Sequence, residues 1–178
     1  MAAKFKAPRG TFDVLPSDSA ARTRVYRAAA AAFERAGYGK IETPVFEETE
    51  LFARGVGEST DIVQKEMFTF EDQGGRSLTL RPEATASICR AYAEHGMHKL
   101  PQPVKLWCWG PFFRHERPQS GRFRQFHQID SEVIGTDSPL ADAESIILLA
   151  DLLAELGVPS VELRLGSLGS FETRKAYR

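Results

Sequence analysis

Between residues 105 and 134 apolar and polar positions alternate along two runs, on either side of a polar stretch carrying Pro118 and Gly121. Alternation with a period of two is the mark of a β-strand with two unlike faces, and Pro and Gly between two such runs mark a reversal. Residues 105–116 and 123–134 are therefore predicted to pair as a hairpin with a longer connection. Parity then sorts the side chains. Phe126, Gln128, Asp130 and Glu132 share one face, whereas Phe123, Ile129 and Val133 share the other and are expected to be buried. On the first strand Arg114 and Glu116 fall together.

The remaining pattern predicts helices around this hairpin. Pro16, with Ser17 or Asp18 as cap, opens a long Ala-rich helix whose Val25, Ala29, Phe33 and Ala36 lie on one stripe, and Gly37 closes it. Residues 40–44 read as extended, because Pro44 restricts its predecessor. A turn at Gly74 and Gly75 leads into a strand over 77–80. Pro82 suits a first helical turn, and 84–95 reads as helix, which puts Glu83 and Thr85 at a helix N-terminus. An acid and a threonine there are favourable as local caps whatever else they do. A last helix from Pro139 to Leu156 is expected to turn Ile146, Leu149, Ala150 and Leu153 inward.

Composition narrows the class. A hydrophobic content of 42% and a charged content of 26% are those of a soluble globular protein, and no apolar run approaches membrane-spanning length. The first residues are too polar for a secretory signal, and two cysteines, Cys89 and Cys108, are too few for a disulfide framework; both are expected to be buried in a protein of the reducing cytoplasm. The net charge of −1 hides blocks: residues 1–40 and 99–127 are each basic, and 41–98 and 128–178 acidic. A basic hairpin suits phosphate groups, although a solvated basic loop is the plainer alternative.

The hairpin's residue types point to chemistry. Arginine offers a planar fork to phosphate oxygens, carboxylates accept from amines or imidazole N–H groups, and Phe126 presents a flat surface to a base. A nucleotide beside a cationic small molecule fits that set; a salt-bridged outer sheet face fits it too. Other chemistries fail on spacing. His115-Glu116 lacks the second histidine of a zinc helix, since Gln119 stands there and Pro118 would break the helix. Gly55 and Gly57 lack the third glycine of a dinucleotide fingerprint, where Thr60 stands. There is no serine or cysteine nucleophile elbow, and no metal site is expected.

Phe113-Arg114-His115-Glu116-Arg117-Pro118-Gln119 followed by Arg124-Gln125-Phe126-His127-Gln128 resembles motif 2 of the class II aminoacyl-tRNA synthetases, in the wording of the histidyl-tRNA synthetase family. Leu80-Arg81-Pro82-Glu83-Ala84-Thr85 resembles a histidine-binding segment of that family's bacterial branch, and Arg9-Gly10-Thr11-Phe12-Asp13 its N-terminal signature. Two long motifs in the right order are far more specific than a single short pattern. The resemblance runs from about Pro8 to the end.

It implies an α+β fold, a class II synthetase-like antiparallel sheet flanked by helices, with motif 1 at about 18–44 as a dimer interface and motif 2 at about 105–135. The core would span 1–163, and 164–178 would begin the family's insertion region. The fold would be incomplete, since neither motif 3 nor the second histidine-binding segment occurs. The implied activity is histidine-tRNA ligation, in which ATP activates L-histidine to the adenylate, with Mg2+ sharing phosphate charge, and histidine passes to tRNA(His). As a fragment the chain is not expected to be active alone.

The resemblance also implies roles. Arg114 would be catalytic at the α-phosphate, Glu116 would meet the adenine amino group, Phe126 would stack on the base and Arg122 would reach the outer phosphates. Glu83, Thr85 and Gln128 would hold the histidine α-amino group and Glu132 its imidazole. Arg117 and Gln119 would face tRNA. The family varies at the position of Asp130, so the resemblance assigns it no ligand, and support of Glu132 or Gln128 is what is left to it. Two alternatives stand beside it: a synthetase-like regulatory subunit of histidine biosynthesis, expected to lack the Arg-Pro-Glu-x-Thr wording and the ATP-binding arginine, and a non-catalytic fragment that binds RNA or pairs subunits.

Overall fold

The computed structural model describes residues 5–56, 66–117, 119–166, 169 and 173. Gly57, Thr60, Pro118 and most of the 164–178 stretch thus lie outside the described residues. Helix α1 spans Pro16–Arg35. Proline suits this start because a first-turn N–H has no helical partner to lose. Leu15 is the N-cap and contributes no side-chain bond; the expected cap at Ser17 or Asp18 is not formed, because both residues already lie inside the first turn. The buried stripe is Ala28, Ala29, Ala32 and Phe33, with Val25 and Ala36 half-buried at its margins.

Gly37, at φ +79°, reverses the chain into β1 (Gly39–Lys40). Strand β1 pairs in parallel with β5 (Val104–Phe113), and β5 pairs antiparallel with β6 (Gln125–Ile134). Pro44 has no N–H for a ladder, and the chain beyond it enters a second sheet in the order β2 (Phe46–Glu48), β4 (Ser77–Leu80), β3 (Phe68–Glu71), wholly antiparallel. The architecture is α+β with flanking helices, as expected. It differs in having two three-stranded sheets rather than one, and a parallel pair at β1. The other helices are α2 (Thr49–Val56), α3 (Thr85–Glu94), a short 3-10 turn over Met97–Lys99, and α4 (Pro139–Glu155).

Both faces of the β5–β6 hairpin are covered. On one, Trp107, Ile129 and Val133 meet α1 and α4; Phe33 stacks on Trp107 at 5.3 Å between ring centroids, and Leu148, Leu152 and Leu156 close the layer. On the other, Leu106, Cys108, Phe112 and Phe126 pack against Ala84 and Ile88 at the start of α3. The face that carries the polar array is thus also a core face, half of it apolar.

Three burial expectations are corrected. Phe123 precedes β6, is 42% exposed, and packs on the equally peripheral Phe12. On α4 the inward line is Leu148, Leu152 and Leu156, one helical turn apart, so Leu149 and Ala150 point outward while Ile146 and Leu153 are half-buried. Cys108 is buried, but Cys89 is exposed on α3.

Arg81 links the two sheets. Only 5% exposed, it donates from Nε to the Pro111 carbonyl (3.0 Å) and from Nη1 to the Thr43 carbonyl (2.9 Å) and hydroxyl (3.1 Å), and its guanidinium lies 4.6 Å from the centroid of the Phe112 ring. A Cβ at position 110 would stand 2.2 Å from Arg81 Nη2. Gly110 therefore makes room for the guanidinium. Gly110→Ala is expected to destabilise the chain by about 1–3 kcal/mol, the usual cost of forcing atoms into a filled site; urea unfolding of both proteins checks it.

Candidate active site

The register fixes the polar floor. Phe126 stands opposite Phe112, Gln128 opposite Gly110, Asp130 opposite Cys108 and Glu132 opposite Leu106. Since small or apolar partners face each polar side chain, the array of Gln128, Asp130 and Glu132 lacks cross-strand polar neighbours of its own. Its partners come from elsewhere. Thr85 Oγ1, at the first residue of α3, donates to Glu132 Oε1 at 2.6 Å, which brings the start of α3 onto the hairpin. Glu83 accepts from the backbone N–H groups of Thr85 (2.6 Å) and Ala86 (3.0 Å). It is the local cap that the helix start called for, and it also stands within electrostatic reach of Glu132 and Asp130.

Gln128 Nε2 donates to Asp130 Oδ1 at 3.0 Å. The other oxygens of this pair, Gln128 Oε1 and Asp130 Oδ2, are buried without a hydrogen-bond partner. Burial is the main force pushing the Asp130 carboxyl up to about 6; Glu132 and Glu83 add repulsion, while the Gln128 bond and Arg114 oppose it. Burial likewise raises Glu132, helped by Glu83 and opposed by its bond from Thr85. Buried carboxylates resist ionisation unless cations or donors compensate.

The ordered strand β5 stops at Phe113, so Arg114 and Glu116 lie beyond it and parity alone does not place them. Arg114 is placed instead by its N–H bond to the Arg124 carbonyl (3.0 Å), by Nε donation to the Pro82 carbonyl (3.0 Å), and by the Phe126 ring, 5.3 Å from its guanidinium carbon. It thus joins the Arg-Pro-Glu segment to the hairpin. Arg122 Nη1 donates to Glu116 Oε2 at 3.0 Å. Gln119 and Arg122 bridge the loop, with Arg122 N–H donating to the Gln119 carbonyl at 2.9 Å, and Arg117 is exposed beside them.

Sequence reasoning gave no role to two residues that hold this arrangement. Arg81 was legible only as part of its motif, and its burial depends on Gly110, twenty-nine positions on. Arg124 donates from Nε to the Glu116 carbonyl (3.2 Å) and from its N–H to the Gly10 carbonyl (2.7 Å), which docks the Arg9–Asp13 signature against the base of the loop. A groove of about 510 Å³ lies elsewhere, beside α2 and α3. Three of its acids are engaged, since Arg90 bridges Glu47 and Glu94 at 2.5 Å each and Arg54 pairs with Glu50.

The family model for histidyl-tRNA synthetase matches residues 10–173. The chain belongs to the histidyl-tRNA synthetase family. It is 52% identical over 172 residues to the histidine–tRNA ligase of Thermus thermophilus and 56% identical over 171 residues to that of Desulforudis audaxviator, covering 97% and 96% of this chain but 41% of each relative. The chain thus spans about two fifths of the curated histidine–tRNA ligases it matches. Among solved structures, apo S. aureus histidyl-tRNA synthetase superposes with a TM-score of 0.74 at 39% identity, over 87% of this chain and 35% of that one. An ATP phosphoribosyltransferase regulatory subunit/histidyl-tRNA synthetase from Bacillus halodurans C gives 0.76 at 28% identity, over 90% and 40%. Hence the α+β sheet-and-helix core of this chain is that of part of a histidyl-tRNA synthetase catalytic domain.

The raised Asp130 carboxyl has a thermodynamic signature. A folded-state value of about 6 against an ordinary 3.8 means that the folded chain binds this proton more readily than the unfolded one. Asp130 therefore lowers stability as pH rises from about 4 to 6, and the cost is constant above that window. Asp130→Asn, which cannot ionise, is expected to gain stability relative to wild type across that window and keep the gain at pH 7–8. Urea unfolding at pH 4, 5, 6 and 7.5 measures it; a constant difference between the two proteins would contradict the assignment.

Proposed function

We propose that this chain is the amino-acid- and ATP-binding part of a histidine–tRNA ligase. The observation that carries the reading is the convergence on one floor of the Arg-Pro-Glu-x-Thr segment and the hairpin, through the Thr85–Glu132 and Arg114–Pro82 bonds. The first reaction joins a histidine carboxylate oxygen to the α-phosphorus of ATP and releases pyrophosphate. It needs no covalent enzyme intermediate, so the protein's work is alignment and stabilisation of phosphoryl charge. The histidyl group then passes to the terminal ribose of tRNA(His).

In this reading Arg114, already held by a carbonyl and a ring, meets the α-phosphate with little reorganisation. Phe126, beneath it, supplies the stacking surface for the base. Glu116 and Arg122 exchange their mutual ion pair for the adenine amino group and the outer phosphates, respectively. Glu83, Thr85 and Gln128 hold the amino-acid end and Glu132 accepts from the imidazole, which discriminates against apolar side chains that leave its carboxylate unpaired. Arg117 and Gln119, exposed at the loop, face the tRNA. Dimerisation through 18–44 and a cytoplasmic location belong to the same proposal; no helix among the described residues is long and apolar enough to cross a membrane. Mg2+ sharing the phosphate charge belongs to the proposal as well; among the described residues there is no group of three or more His, Cys, Asp or Glu side chains suited to a metal ion. The regulatory-subunit alternative is disfavoured by the presence of Arg81-Pro82-Glu83-Ala84-Thr85 and Arg114.

Two substitutions in the full-length protein test the reading. Arg114→Ala is expected to slow histidine-dependent pyrophosphate exchange by about 10²-fold or more, the scale on which one preorganised donor matters; exchange at the wild-type rate would remove Arg114 from the mechanism. Glu132→Gln is expected to weaken histidine binding much more than ATP binding in equilibrium titrations. Equal losses for the two ligands would leave Glu132 a purely structural role.

A further inference from the structure

One polar pair on the floor is built at a cost that the fold does not explain. Gln128 and Asp130 sit two residues apart on the same face of β6, joined by the Nε2–Oδ1 bond of 3.0 Å. Each also keeps an oxygen buried without a partner. An interior selected only for stability would replace such a pair with apolar side chains, since each unsatisfied polar atom costs free energy and the neighbours across the hairpin, Gly110 and Cys108, offer no compensating bond. What the pair does achieve is orientation. A glutamine amide has two chemically different ends on a side chain with three rotatable bonds. An acceptor at Asp130 Oδ1 admits only the NH2 end, and so selects one of two flips and one rotamer.

We propose that Asp130 is a positioning residue for amino-acid recognition, acting through Gln128, whose amide it holds in a single orientation on the floor, opposite Gly110. This rests on the reading of Gln128 as a histidine-binding residue. Arg81 and Cys108 face Asp130 from the neighbouring elements, with Glu83, Arg114 and Glu132 completing the charged surroundings. None of these forms a hydrogen bond to Gln128, so the orienting contact comes from Asp130. Without it the amide loses its bond to Asp130 and its preferred flip, and the free energy of ordering it falls on ligand binding instead.

The test is a double-mutant cycle in the full-length protein, read as the KM for histidine and the KM for ATP in pyrophosphate exchange, with thermal midpoints alongside. Asp130→Ala is expected to raise the KM for histidine by about tenfold, the scale of one hydrogen bond to a charged group, and to leave the KM for ATP unchanged. Asp130→Asn retains an acceptor oxygen but adds an NH2 donor that can hold the amide in either flip, and is expected to restore the histidine affinity only in part. In a Gln128→Ala background, Asp130→Ala is expected to add nothing, because its only route to the substrate is gone. Asp130→Ser serves as a second removal should the alanine protein not be recovered. Additive losses in the double mutant, equal losses for histidine and ATP, or a wild-type KM in the removal variants would each overturn the proposal. If Gln128→Ala itself leaves the KM for histidine unchanged, the histidine-binding reading of Gln128 fails first; if Gln128→Ala weakens histidine and Asp130→Ala does not, only the role of Asp130 fails.

Discussion

The uninterrupted register of β5 against β6, ten residue pairs from Val104 opposite Ile134 to Phe113 opposite Gln125, is the constraint on which the rest depends. Side chains alternate with a period of two, so a slip of one residue on β6 would send Gln128, Asp130 and Glu132 under α1 and α4 and bring Ile129 and Val133 up beneath α3. The side chains that α1 buries in the layer around Trp107 are apolar, Ala28, Ala29 and Phe33. The stack of Phe33 on Trp107 and the packing of Leu152 thus hold the polar array in place from the opposite side of the sheet. Core packing and site geometry are here the two faces of one ladder.

Much of this was legible because strand periodicity is a local signal. The faces of Phe126, Gln128, Asp130, Glu132, Ile129 and Val133 follow from counting by twos, and α3 begins within a residue of its expected start. The misreadings share a cause. Phe123 obeys the same parity but lies before the first ladder pair, where alternation no longer implies a face. Leu149 and Ala150 satisfy helical spacing, yet two rotations of an apolar-rich helix are nearly equivalent on paper, and only the position of α1 chooses the line through Leu148, Leu152 and Leu156. The division into two sheets and the parallel pairing of β1 are likewise tertiary facts with no counterpart in local pattern. Arg114, Glu132 and Glu83 could be singled out from residue type and family wording. The bonds that place them could not, since Thr85 to Glu132 and Arg114 to Pro82 each join residues more than thirty positions apart.

The site is internally engaged. Glu83 is bonded to the start of α3, Glu132 to Thr85, Glu116 to Arg122, Arg114 to Pro82 and Gln128 to Asp130. These contacts divide by exposure. The Arg114–Pro82 and Gln128–Asp130 bonds are partly buried and in the proposed ligase would fix geometry that ligands meet ready-made; the Arg122–Glu116 pair, with the arginine side chain 63% exposed, is of the screened surface kind that exchanges partners at little cost. Held at the floor and exchangeable at the loop, the arrangement would in the proposed ligase separate recognition of a small ligand from capture of a larger, more highly charged one.

The contact of Arg81 with Gly110 also shapes which sequences can be reached from this one. Any side chain at 110 meets the guanidinium, and shortening Arg81 first strands the carbonyls of Thr43 and Pro111 without their donor. Either single change is therefore worse than both the starting pair and a repacked alternative, so the two positions form a ridge between sequence neighbourhoods. Descendants of this chain would be expected to keep arginine with glycine, or to change both positions together.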